Sequence, residues 1–181
     1  RVLFRSGRSA AAMLAEPRKA YLLLNVEPEL DTHDPALAMR AMGAAESVVV
    51  LSTFKTRADE YAEVLLPVAP FTETSGTFVN TEGLAQGFNP VILPASDSRP
   101  AWKVLRVLGN LLGLGGFEFD SSEQVREESG VKGDLGPKLG DLLSSAPRPA
   151  TSGSFALQRI ADVPIYFADP IVRRAPSLQK T

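Results

Sequence analysis

AYLLLNVEPELDTHDPALAMRAMGAAESVVVLS, residues 20–52, decides the fold. It opens with a short apolar run, 20–26, that ends in polar residues, the pattern of a buried strand. Asp34, Pro35 and Gly43 then bracket a helix of about two turns: Asp as N-cap, Pro at the first helical position and Gly at the end. The stretch closes on SVVVLS, 47–52, β-branched and apolar, a second buried strand. A short helix is predicted at 56–62, and EVLLP, 63–67, reads as a third strand stopped by Pro67. Strand–helix–strand–helix–strand with short joins implies parallel strands and right-handed crossovers, hence part of an open α/β sheet.

Downstream the pattern changes. GTFVN and GLAQGF, separated by Thr81-Glu82-Gly83, fit a hairpin or two irregular extended pieces. A helix follows over 100–112, with Pro100 in its first turn, Asp97 or Ser98 as cap and Gly113 as its stop. Trp102, Leu105, Leu108 and Leu112 recur on one face of it. Val48–Leu51, Val64–Leu66 and this Trp102 helix are the expected core. Ser121 or Ser122 is placed to cap a weak helix through Arg126, and a second short helix is possible at 134–143. Residues 144–154 have loop composition. The tail carries Pro164, Pro170 and Pro176 and reads as an extended strap. The resulting divisions are an N-terminal edge at 1–11, an α/β portion at 12–116, a helical or loop region at 117–161 and a connector at 162–181.

Composition removes several classes. The 181 residues carry a net charge of −2, with 44% apolar and 22% charged residues, so the basic footprint of a nucleic-acid binder is missing. No apolar run approaches the ~20 residues that span a bilayer. There is no Cys, which removes disulfides, thiolate zinc and Cys-ligated clusters from this segment. His33, the sole histidine, has no partner for a triad and reads as a turn residue before the Asp34 cap. Glu27, Glu29, Asp31 and Asp34 read as a solvated acidic loop rather than a magnesium site, because no phosphate loop accompanies them. Gly113, Gly115 and Gly116 follow a helix, not a strand, so they form a turn rather than a dinucleotide loop.

One segment has chemical leverage. Open parallel sheets bind ligands outside the carboxyl ends of their strands. Asn25 and Glu27, Ser52 and Thr53, and the start of FTETSGTFVNTEGLAQGF (71–88) fall at such ends. Thr72, Glu73, Thr74, Ser75, Thr77, Asn80 and Glu82 offer donors and acceptors there, and Gly76 and Gly83 permit close backbone approach. A ligand-facing wall and a structural hairpin both fit.

FKTRADEYAEVLLPVAPFTETSGTFVNTEGLAQGF followed by RPAWKVLRVLGNLLG resembles the molybdopterin oxidoreductase superfamily, and more closely the large iron–sulfur subunit of respiratory NADH–quinone oxidoreductase, complex I. The shared pattern is a strand ending in LP, a Glu, Gly-Thr-Phe-x-Asn-x-Glu-Gly, and then Arg-Pro-x-Trp-Lys opening a helix. VPIYFADPIVRRAPSLQKT is similar to the segment that leads into the last domain of that subunit. The resemblance covers roughly residues 12–113 and 159–181. It implies that Asn25, Glu73, Gly76, Asn80, Glu82 and Gly83 are vestigial pterin-site positions. It also implies that the 4Fe-4S and 2Fe-2S clusters lie upstream, with no catalytic or metal-ligating residue in this segment. Two departures weigh against a bound molybdopterin: the glycine of a Gly-x-Asn-Pro turn is missing before Asn25, and Leu84 stands where an Arg is usual, removing five donors suited to phosphate. Implied partners are the other peripheral-arm subunits of complex I. The implied location is the cytoplasmic face of the bacterial inner membrane, or the mitochondrial matrix side. The alternatives are a molybdenum or tungsten oxidoreductase of the formate dehydrogenase type, whose 71–88 segment touches the cofactor, and a non-redox scaffold domain.

Overall fold

The structure is a computed structural model that describes residues 7–135 and 165–179. The chain forms two compact units that meet in sequence at Leu66 and Pro67; the first also includes the C-terminal tail. The division falls inside the stretch 12–116 read above as one portion.

In the first unit, α1 (Ala10–Ala15) starts at Ser9, whose side chain accepts a bond from the Ala12 N–H. It is tied to β1 (Ala20–Leu24) by Tyr21, whose hydroxyl donates to the Met13 carbonyl at 2.8 Å and accepts from the Arg18 N–H at 3.0 Å. A single helical turn, α2 (Pro28–Asp31), follows, and then α3 (Pro35–Ala44). Asp34 caps α3 as expected, accepting from the Leu37 N–H at 2.8 Å. Gly43 does not end this helix. It lies inside it, and Ala45 is the C-cap.

β2 spans Ser47–Ser52 and β3 spans Val64–Pro67, in the sheet order β1-β2-β3. The sheet is parallel, with Tyr21 opposite Val48 and Leu24 opposite Leu51. The helix expected at 56–62 is a tighter 3-10 turn, Arg57–Glu60, capped by the Thr56 side chain. One face of the sheet, carrying Tyr21, Val48 and Val50, packs on Ala41 and Met42 of α3 and on Ala58; Met13, Leu14 and Leu65 fill in around it. The strands are less buried than their composition predicts. Leu22 is 48% exposed and Val64 43%, because side chains alternate across a pleat and β1 and β3 are the edges of a narrow sheet. Val64–Leu66 therefore joins the core through Leu65 alone.

The tail corrects the extended-strap expectation. Its described part folds as α6 (Ile165–Ala168) and a 3-10 turn, Val172–Arg174. Asp169 drives the second turn: its carboxylate accepts from the Ile171 and Val172 N–H groups, both at 2.8 Å. These bonds hold the Asp169 carboxyl below the ordinary range. Pro170 suits the start of such a turn, where its missing donor is not needed.

In the second unit, β4 (Gly76–Val79) and β5 (Ala85–Phe88) form an antiparallel hairpin, with Gly76 opposite Phe88 and Val79 opposite Ala85. A two-stranded ribbon is marginal alone. Here residues 133–135 extend it: the Ala85 N–H donates to the Gly133 carbonyl and the Leu135 N–H to the Gly83 carbonyl. α4 is Ala101–Leu111, with Pro100 rather than Asp97 or Ser98 at the cap position. Ser98 instead bonds back to the Ala95 carbonyl at 2.7 Å. Gly113, at φ 67°, closes the helix in the left-handed region. α5 (Ser122–Ser129) is capped by Ser121, runs past Arg126 and stops at left-handed Gly130. The helix proposed at 134–143 and the loop at 144–154 fall almost wholly outside the described residues; Asp134 itself bridges to Leu84.

α4 is not the deep core its apolar spacing predicts. Only Gly109 is buried, against the Phe117 ring, and Trp102 is half-buried with Lys103 Nζ 5.4 Å from the centre of its ring. Trp102→Ala is accordingly expected to cost about 1–2 kcal/mol, below the ~3–5 kcal/mol of a fully buried aromatic. Equilibrium denaturation checks this, and a loss above about 3 kcal/mol would contradict the half-exposed ring.

Candidate functional site

The sequence singles out six positions, and the structure gives five of them a definite local task, Glu82 being the exception. Asn25 lies in the first unit at the carboxyl end of β1, with φ 49°, a conformation that Asn tolerates better than most residues. Its N–H donates to the Leu51 carbonyl at 2.8 Å, and its side-chain oxygen accepts from the Thr53 N–H at 3.1 Å. Asn25 thus pins the ends of two parallel strands together at the edge where open sheets take ligands.

The other five lie in the second unit. Glu73 accepts from the Ala95 N–H at 2.8 Å and so ties the loop after β5 to the segment before β4. Asn80 makes the hairpin turn. Its side-chain oxygen accepts from the N–H groups of Glu82 (3.1 Å) and Leu84 (2.8 Å), while its carbonyl accepts from the Gly83 N–H. Gly83 is buried at φ 88°, where a Cβ would be strained. Glu82 is exposed at the tip. Gly76 lies under the Phe88 ring, which stacks on Phe78 with 4.7 Å between ring centres; a Cβ at Gly76 would sit 2.6 Å from Phe88 Cζ. Gly76→Ala is therefore expected to cost about 2 kcal/mol as that ring is displaced. A thermal unfolding series across Gly76→Ala and Gly43→Ala checks it: position 43 has open space around it, so no comparable steric loss is expected there.

Within the motif, Asn80 and Glu73 thus spend side-chain acceptors on the hairpin turn and its loop. Leu84, 43% exposed, offers no donor beside them. What the fold leaves available lies between the hairpin and α5. Ser75 and Thr77, together with Trp102 and α5, line a cavity of about 330 Å³. Beside it, Thr77, Gly87, Asn89, Ser122, Glu123 and Arg126 line a polar cleft of about 240 Å³. Arg126 borders both. It lay at the edge of the sequence reading, as the end of a weak helix, because its proximity to Gly87 depends on tertiary packing. Ser75 and Ser122 join hydroxyl to hydroxyl at 2.7 Å across this gap.

The acidic residues after β1 are not all solvated: Asp31 and Asp34 are exposed, but Glu27 is not. Glu27 is buried, its backbone N–H bound to the Asp31 carboxylate at 2.7 Å, and both acids meet Arg173 from the tail. Arg174 bonds Glu27 at 2.7 Å and lies 4.0 Å over the Phe54 ring. Glu29 faces Tyr61, whose hydroxyl is raised above its usual range mainly by burial. Among the described residues no group of three or more His, Cys, Asp or Glu is arranged to hold a metal ion, and no helix is long and apolar enough to cross a membrane.

Comparison with known proteins adds a frame. The family model described as molybdopterin oxidoreductase matches residues 2–111. The chain is 36% identical over 81 residues to the Bacillus subtilis (strain 168) protein named "Probable oxidoreductase YjgC", covering 45% of this chain and 8% of that one. It is 33% identical over 91 residues to a Staphylococcus haemolyticus (strain JCSC1435) protein named "Putative formate dehydrogenase", covering 50% and 9%. A Staphylococcus aureus (strain USA300) protein with the same description is 41% identical over 81 residues, covering 45% and 8%. The chain thus spans less than a tenth of the length of these relatives.

Proposed function

The chain belongs to the molybdopterin oxidoreductase family, and from that premise we propose that it is a structural segment of a formate dehydrogenase-like oxidoreductase. Three relatives, two of them named as formate dehydrogenases, support this reading over a non-redox scaffold. The family implies a pterin-held molybdenum or tungsten centre, which supplies the redox chemistry. One carboxylate oxygen of Glu73 and the side-chain oxygen of Asn80 are engaged by the Ala95, Glu82 and Leu84 N–H groups, so those atoms serve the backbone of the hairpin and its loop. Their work is to fix the hairpin and the loop after it. Asn25 does the same for the sheet edge by bridging the ends of β1 and β2. The observation that carries this reading is the Asn80–Gly83 turn, in which the family-like motif is used to build rigid backbone. No catalytic step is assigned to this segment.

A second reading, a part of the iron–sulfur subunit of a respiratory NADH–quinone oxidoreductase, is favoured by Leu84, which replaces a phosphate-matching guanidinium with an exposed apolar side chain. Under it the partners are peripheral-arm subunits on the cytoplasmic face of the inner membrane, and the clusters lie outside this segment. Metal analysis of the full-length protein separates the two. Stoichiometric molybdenum or tungsten is expected; iron without either would overturn the first reading in favour of the second.

A further inference from the structure

We propose that the cleft between the β4–β5 hairpin and α5 is a binding site for a small phosphate-type oxyanion, with Arg126 as its cation and Thr77 as its hydroxyl donor. The proposal does not rest on the family reading, because Arg126 and Ser122 lie beyond the residues that the family model matches. Its basis is a pair of unspent polar groups in one concave place. Among the described residues, neither the Arg126 guanidinium nor the Thr77 hydroxyl has a hydrogen-bond or ion-pair partner, yet both residues are half-buried and line the same cleft of about 240 Å³. A guanidinium carries five donors in a fixed fork matched to phosphate, and leaving them without a protein partner forfeits charge-assisted bonds.

The backbone makes room for this arginine. A Cβ at Gly87 would sit 3.1 Å from Arg126 Nη1, so a side chain there would press on the guanidinium. The glycine on the strand opposite Thr77 is thus the residue that lets the fork lie against the hairpin. Glu123, the one acid among the described residues that line the cleft, is already engaged. The Ser122 hydroxyl donates to its carboxylate at 3.2 Å; bonds from its own backbone N–H and from Ser121, with a smaller contribution from the Arg126 charge, hold its carboxyl below the usual range. Ser75 in turn bonds Ser122, so the line of hydroxyls and carboxylate is internally satisfied while Arg126 is not. A ligand with spare acceptors and negative charge completes this arrangement; a cation would face Arg126 without gain.

The test is titration of the full chain with inorganic phosphate, following the Arg126 side-chain Nε–Hε resonance, with equal ionic strength of chloride as the blank. Saturable shifts are expected in the wild type. Arg126→Gln should weaken phosphate binding by tenfold or more, and Thr77→Val by a few fold. Gly87→Ala, which crowds the guanidinium without removing it, should also weaken it. Circular dichroism and an unchanged unfolding midpoint for Arg126→Gln, which breaks no internal bond, separate loss of binding from loss of fold. Shifts that fail to saturate, that chloride reproduces, or that persist in Arg126→Gln when followed at the Gly87 amide would overturn the proposal.

Discussion

Leu51→Ala is expected to lower the free energy of unfolding by about 3 kcal/mol, within the ~2–5 kcal/mol found when large aliphatic side chains are removed from close-packed sites. Leu51 is 0% exposed and is among the largest fully buried side chains of the described residues. It sits in the middle strand of three, paired with Leu24, with its carbonyl bonded to the Asn25 N–H. Two losses add there: the transfer free energy of three carbons returned to an Ala-sized side chain, and the contacts of a space that a central strand cannot collapse to fill. Leu22→Ala is the internal control. It is apolar, on the neighbouring strand and opposite Val49, but 48% exposed, so its expected cost is below about 1 kcal/mol. Denaturant titration of both variants measures the contrast. Equal losses would mean that burial in the sheet does not follow the strand order described here.

That contrast also marks what local sequence could and could not convey. SVVVLS announced a strand because β-branched runs between turn signals have few other uses, and its bounds match β2. Asp34-Pro35 announced a helix start because capping is a short-range matter settled within three residues. Ser121 at α5 worked for the same reason. Composition could not tell which Leu of AYLLL would be covered, since alternation in β1 matters only once the width of the sheet is known. The same limit misplaced α4. Helical spacing of Trp102, Leu105 and Leu108 requires an apolar stripe but does not say how much of it is covered. In the candidate site, the polar hairpin and its glycines were legible, and Asn80 and Gly83 fell where a turn needs them. The cleft lined by Arg126 was not, because it depends on α5 meeting β5, some forty residues apart. The ion pairs of the tail lie still further from local reach: Asp31 and Arg173 are 142 residues apart in sequence. Glu27 and Asp31 read as members of a solvated loop until their counter-ions arrive from the tail.

Those counter-ions set the second large expectation. Arg173→Ala should cost about 3 kcal/mol, because the change removes a buried cation and the partner of a buried acid, Glu27. The Arg173 side chain is 4% exposed; its Nη2 lies 2.5 Å from the Asp31 carboxylate and its Nη1 3.4 Å from Glu27. Glu27, itself largely buried, would keep only Arg174, and Asp31 only the Glu27 N–H. Breaking one partner of a buried pair is costly, whereas replacing the whole set with neutral residues of similar volume is often nearly free. The triple variant Arg173→Met, Glu27→Gln, Asp31→Asn should therefore recover most of the loss. Hydrogen exchange supplies the second readout: in Arg173→Ala, the Val172 and Arg174 amides should lose protection before those of β2, as the tail opens ahead of the sheet. If Arg173→Ala stays within about 0.5 kcal/mol and tail exchange does not change, the arginine is not holding the tail. If the triple variant is as unstable as the single one, packing of the arginine stem, not charge, is what binds the tail to α2.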